Sequence, residues 1–164
     1  MTLQQLGEAS GLSAAFLSQV EREMTSLSVS SLGSIAKALG VLPSMFFPHP
    51  NGGGVAVRGY AREPFRMDHA DVVYSRLGHS FEGRQLEPLY VTYPPAYQSE
   101  VSSHEGEEFY FVLSGQLVVD LDGEVYKLNE GDSIHFKSER RHQLANLAEV
   151  PVQVLAVTTP TLLG

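Results

Sequence analysis

The dipeptide Asp122-Gly123 lies between two apolar runs, Leu117–Leu121 and Val125–Leu128, and no other feature limits the possible folds as tightly. A two-residue hairpin turn needs positive φ at both central positions, which Asp-Gly supplies at low cost, so the flanking runs are expected to pair as antiparallel strands. The strand pattern extends both ways from this hairpin. Upstream, Glu108–Leu113 is apolar or aromatic apart from Glu108 itself. At a period of two, His104, Glu108, Tyr110 and Val112 share one face, and Phe109, Phe111 and Leu113 share the other. Ser114-Gly115 turns the chain into Leu117. Downstream, Asn129-Glu130-Gly131-Asp132 is a second turn, followed by a strand at Ser133–Lys137. His142, Leu144 and Asn146 again share one face. Val72–Leu77, Leu86–Tyr93 and Val152–Val157 read as further strands.

The spacing of polar residues within this pattern carries a resemblance. Ser102, His104, Glu108 and Gly115 stand at the places of a first cupin motif, and Gly131, His142 and Asn146 at those of a second. Lys137 and Glu139 occupy positions where proline and glycine are usual. The stretch from about Leu86 to Pro160 therefore resembles the cupins, small antiparallel jelly-roll barrels. The resemblance implies a metal site at His104, Glu108 and His142, with Ser102 in place of the first ligating histidine. Two imidazoles and a carboxylate suit Zn, Ni, Mn or Fe, held weakly for want of a fourth good ligand. It also implies an effector pocket lined by Tyr90, Ser102, His104, Glu108, Tyr110, Phe136 and His142. Asn146 is expected to hydrogen-bond at a strand end, and Glu107 and His135 to face away from the pocket. Arg76 and Arg84 lie on or near strands and could meet a carboxylate ligand, although solvation is the expectation for any single arginine; His49 is expected to be solvated, and His69 and His79 are assigned no partner.

Residues 1–47 read differently. Thr2 can cap a helix with Leu3, Leu6 and Ala9 as its apolar positions, ended by Ser10-Gly11. Ser13 can cap a second helix, Ala14–Glu23, with Phe16, Leu17 and Val20 on one face. Ser30 or Ser31 is expected to cap a third, carrying Leu32, Ile35, Ala36 and Leu39 and stopped by Gly40. A short turn of helix is expected from Pro43 to Phe47. Helix, tight turn and helix within this spacing is a helix-turn-helix layout, with Gly7 small where two helices meet. The segment resembles the DNA-binding domain of lambda and 434 repressors, the XRE family. That family has one more helix ahead of this point, so the expectation is a coding start upstream of Met1 or a reduced domain. Glu23 stands where the family usually has glycine. The second helix would be the recognition helix. Ala14, Ala15, Ser18 and Gln19 would face bases, Gln19 being able to bond bidentately to adenine. Ser13 and Arg22 would meet phosphates.

Pro48-His49-Pro50-Asn51-Gly52-Gly53-Gly54 has the composition of a linker. The expected organisation is thus an α+β multidomain chain: a small all-α helix-turn-helix domain at 1–47, a linker at 48–56 and an all-β cupin jelly roll at 57–164. Such a pairing resembles a group of two-domain bacterial transcriptional regulators whose cupin senses a small molecule and dimerises. The expected partners are operator DNA, a small-molecule effector and a second copy of the chain, with no membrane. The alternative is a cupin metalloenzyme, an oxygenase or isomerase, with a decayed helical segment.

Composition sets limits on this reading. The 164 residues contain no cysteine, so disulfides and thiolate metal sites are excluded, which fits a reducing cytoplasm. No apolar run approaches the ~18 residues of a membrane span, and the N-terminus lacks the features of a secretory signal. The net charge of −8 is unfavourable for binding nucleic acid. Residues 1–47 hold Arg22 and Lys37 against Glu8, Glu21 and Glu23, a net of −1, so DNA binding rests on the helix layout rather than on charge.

Overall fold

A computed structural model describes residues 1–22, 24–25, 29–41, 46, 55–66, 71–81 and 83–160. The expected turn of helix at Pro43–Phe47, the linker at Pro48–Gly54, and Glu23, His49 and His69 lie wholly or almost wholly outside these residues. Two bodies of secondary structure follow in chain order, helices first and then strands.

Helix α1 spans Leu3–Ser10, α2 Ala14–Glu21 and α3 Val29–Leu39. Thr2 caps α1 through a reciprocal pair of bonds. Its hydroxyl accepts from Gln5 N, and Gln5 Oε1 accepts from Thr2 N, which satisfies two otherwise orphaned donors. Gly11 closes α1 at φ 75°, with its N–H on Gly7 O. Ser13 caps α2 by accepting from Phe16 N at 3.1 Å. This helix ends at Glu21, two residues earlier than its apolar pattern suggests, with Arg22 at the C-cap. Ser30 and Ser31 are not caps: α3 begins at Val29, so both lie in its first turn. Leu17, Leu32, Ile35 and Ala36 form the buried apolar set, and α1 packs on both α2 and α3. Gly7 makes that packing possible, because a Cβ there would lie 2.6 Å from Leu12 O. No described helix is long and apolar enough to cross a membrane.

Ten strands follow: β1 Pro64–Phe65, β2 Val73–Arg76, β3 Glu87–Tyr93, β4 Tyr97–Gln98, β5 Glu107–Ser114, β6 Gln116–Leu121, β7 Glu124–Asn129, β8 Ser133–Lys137, β9 His142–Asn146 and β10 Val152–Thr159. They form a six-stranded antiparallel sheet, ordered β1-β2-β3-β10-β5-β8, and a four-stranded one, ordered β4-β9-β6-β7. One apolar cluster joins the inner faces of both, with Leu89, Val91, Val112 and Val154 from the first sheet and Leu117, Val119 and Leu144 from the second. This is the expected jelly roll. The Asp122-Gly123 turn has φ of 56° and 89°, the double positive that its hairpin requires.

Alternation of burial fixes what points inward. Strand β5 buries Glu108, Tyr110 and Val112 while Phe109, Phe111 and Leu113 face out. Register then lays the inner face of the large sheet out in rows. The first row is Glu87, Thr158, Glu108 and Phe136, and the next is Leu89, Ala156, Tyr110 and Ile134. The third is Val91, Val154 and Val112. Polar side chains on this inner face are concentrated at one end of the barrel. His142, at the start of β9, paired with Leu121 at the end of β6, brings the second sheet to that same end.

Candidate functional site

His104, Glu108 and His142 converge. Their ligand atoms all lie within 4.8 Å of one another. His104 Nε2 is 2.8 Å from Glu108 Oε1, and His142 Nε2 is 3.5 Å from the same oxygen. Tyr110 donates its hydroxyl to Glu108 Oε2 at 2.8 Å. Ser102 lies in an isolated antiparallel bridge with His142, and its Oγ is 2.8 Å from His142 Nε2. The serine thus stands at the edge of the triad. The Phe136 ring lies 5.2 Å from that of His142 and stacks on Tyr110 at 6.3 Å, so two aromatic rings wall the site on its apolar side.

The outer nitrogens of both imidazoles are anchored by main chain. Nδ1 of His104 bonds Glu105 O at 3.0 Å, and Nδ1 of His142 bonds Arg140 O at 2.8 Å. A carbonyl only accepts, so each Nδ1 carries a proton and each Nε2 faces the site, the arrangement that a ligating histidine needs. Nε2 of His104 meets a carboxylate as well, which favours the protonated ring. Its pKa is raised above the ordinary 6.5, chiefly by the bond to Glu108. For His142 burial is the largest influence and acts downward, but the bonds to Glu108 and the Arg140 carbonyl outweigh it and the net shift is upward. Burial alone would raise Glu108, but bonds from His104, His142 and Tyr110 overcome it and bring the carboxyl down to about 2. These donors fit a divalent ion: two neutral imidazole nitrogens and one carboxylate oxygen, freed of protons when metal enters.

Tyr90 is the one expected pocket residue that does not join the others. Strand β3 buries Glu87, Leu89, Val91 and Tyr93, which turns Tyr90 outward. There its ring lies 5.9 Å from the Arg62 guanidinium. The two arginines expected in solvent are buried instead. Arg84 grips Glu87 bidentately, Nη1 to Oε1 at 3.2 Å and Nη2 to Oε2 at 2.7 Å. Arg76 is 4% exposed and lies in the field of Glu87 and Arg84. The signal was the phase of β3, which puts Glu87 inward, where a carboxylate requires a cation. His135 faces out and pairs with Glu107 at 2.9 Å. Asn146 donates to the carbonyls of Tyr93, Pro94 and Val150 and so ties the end of β9 to two loops. A cavity of about 520 Å³ lies against His79, Phe81, Arg84, Leu86 and Pro88. It shares Arg84 with the buried cluster and is lined by none of the triad.

On the helical body, Ser13, Ala14, Ala15, Gln19 and Arg22 are exposed and Ser18 is half-buried, while Leu17 faces the core. The helix therefore presents Gln19 to solvent from the side opposite its apolar anchor. Ser13 Oγ is engaged as a cap acceptor and retains its O–H to donate.

Residues 1–46 match the helix-turn-helix family and residues 89–158 the family of cupin domains. The HTH-type transcriptional regulator SutR of Escherichia coli is 31% identical over 153 residues, covering 92% of this chain and 82% of that protein. The HTH-type transcriptional regulator PuuR of Escherichia coli is 27% identical over 156 residues, covering 94% and 84% respectively. Among solved structures, an HTH_3 family transcriptional regulator from Vibrio cholerae superposes with a TM-score of 0.69 at 23% identity, covering 97% of this chain and 86% of that one.

Proposed function

The chain belongs to the HTH-type transcriptional regulators that join a helix-turn-helix to a cupin domain, and from that membership we propose how its two halves divide the work. As a member it is a DNA-binding regulator. In the division we propose, residues 1–47 read DNA, 48–56 link, and 57–164 sense and dimerise in the cytoplasm. Helix α2 enters the major groove, with Gln19 on a base edge, Ala14, Ala15 and Ser18 beside it, and Ser13 and Arg22 on phosphates. The cupin takes a small molecule at the end of the barrel where His104, Glu108 and His142 meet. The observation that carries this reading is that convergence: a charged, hydrogen-bonded cluster at the polar end of the barrel, with His104 still partly open to solvent.

A divalent ion held by both Nε2 atoms and Glu108 Oε1 would supply an electrophilic centre for a donor atom of the effector. Dimerisation is supported by the outward face of the large sheet. There Phe109 pairs with Val157, Phe111 with Leu155, and Leu155 with Tyr90, a continuous apolar stripe of half-buried residues. A two-fold dimer matches a palindromic operator with half-sites about 34 Å apart. The test is a gel-shift assay of the full chain on DNA from its own promoter, with sedimentation at micromolar concentration. Sequence-selective binding by a dimer, altered by a small molecule that no longer acts on the His142→Ala variant, is expected. A monomer that ignores its promoter would refute the reading.

A further inference from the structure

The triad accounts for only half of the polar end of the barrel. In the first inward row, Thr158 of β10 lies in register with Glu108 on one side and with Glu87 on the other. With strands about 4.8 Å apart, the two glutamates are on the order of 10 Å from each other, with the threonine midway. Thr158 is 3% exposed, and its Oγ1 has no hydrogen-bond partner among the described residues. A hydroxyl buried in this way costs free energy unless something arrives to bond it. Glu87 is fully buried and is surrounded by cation: Arg84 holds it bidentately, and the buried guanidinium of Arg76 lies in its field.

We infer that the effector chamber runs from the His104–Glu108–His142 triad across Thr158 to the Arg76–Glu87–Arg84 cluster, and that it takes a small organic carboxylate. This rests on the reading of the cupin as a sensor. Charge decides the class of ligand. Both carboxylates in the row are already engaged, Glu108 by His104 and Tyr110 and Glu87 by Arg84. A cationic ligand would have to break one of those pairs. An anion breaks none: it finds a hydroxyl able to donate and, beyond it, two guanidiniums around one carboxylate. The apolar rows below, with Leu89, Ala156 and Tyr110, suit a short hydrocarbon tail.

The test is titration of the full chain with butyrate, and with butylamine and butanol as cationic and neutral counterparts on the same skeleton. Saturation-transfer NMR and calorimetry provide the readout. Butyrate is expected to bind saturably and the other two not to bind. Thr158→Val, nearly isosteric and removing a hydroxyl that has no partner among the described residues, is expected to keep or raise the thermal midpoint and to weaken butyrate at least fivefold. Thr158→Ser is expected to keep it. Butylamine binding as well as butyrate, no butyrate binding, or full affinity in the valine variant would overturn the inference. Failure of the sensor reading has a separate signature: butyrate binds through Thr158, yet promoter affinity is the same with and without it.

Discussion

Replacing Glu108 by glutamine should destabilise the barrel in a way that depends on pH from both sides. The Glu108 side chain is 4% exposed, so solvent screens its interactions little. Its carboxyl is held at about 2 rather than 4.5. At about 1.4 kcal/mol per tenfold change in proton affinity, this is worth roughly 3 kcal/mol to the folded state. A group whose pKa falls on folding stabilises above its unfolded value, so this contribution is complete above pH 4.5 and is lost as pH drops toward 2. The histidines act oppositely. His104 and His142 are raised above 6.5, so their contribution is complete below 6.5 and fades as pH rises through their folded values. Both shifts describe the same contacts and are not added. The wild type should therefore exceed Glu108→Gln by roughly 3 kcal/mol between pH 4.5 and 6.5, and by less on either side. Urea denaturation of metal-stripped protein, followed by tyrosine fluorescence from pH 3 to 9, measures the difference. A gap that is flat across that range, or below about 1 kcal/mol at pH 5.5, would refute the assignment of Glu108 as an ionised hub.

Three further outcomes are expected. Ser102→His places an imidazole beside His142, where Oγ now lies 2.8 Å from Nε2; it should raise retention of Zn(II) or Ni(II) after dialysis against a mild chelator, measured by elemental analysis. Gly7→Ala drives a methyl to 2.6 Å from Leu12 O and should cost the helical body about 1–3 kcal/mol, read as loss of helical ellipticity at lower temperature. Gln19→Ala should lower operator affinity and relax base choice at one position by roughly 1–3 kcal/mol, whereas Arg22→Ala should weaken all sequences alike, as gel-shift titrations against randomised half-sites would reveal.

Most of the barrel was legible in its sequence because local and tertiary preferences agree there. Alternation told Glu108 from Phe109, and the Asp-Gly turn set the hairpin between β6 and β7. The helix ends were less legible. Thr2 and Gln5 form a capping box whose Thr-x-x-Gln spacing is visible in the sequence, while α3 begins at Val29, ahead of Ser30 and Ser31, residue types that favour caps wherever they stand. The two-residue strands β1 and β4 have no period to read and exist only because longer strands offer them an edge. Nearness in sequence puts Tyr90 among the expected pocket residues, whereas the phase of Leu89, Val91 and Tyr93 turns it outward. The same phase turns Glu87 inward, but that Arg76 comes to its side follows from the pairing of β2 with β3, which no local pattern contains.

The outward stripe on β5 and β10 takes on another meaning when the strand is treated as a stiff plank. Glu108 and Phe109 are consecutive residues on opposite sides of one backbone, as are Thr158 and Val157. Nothing that tugs on the inner pair can leave the outer pair at rest, because the intervening peptide units are pinned on both sides by ladder bonds to neighbouring strands. Occupancy inside the barrel would thus be printed on its exterior within a single residue, with no hinge or relay between. If a second copy rests on Phe109, Phe111 and Leu155, a displacement at Glu108 would reach the contact between the two copies directly.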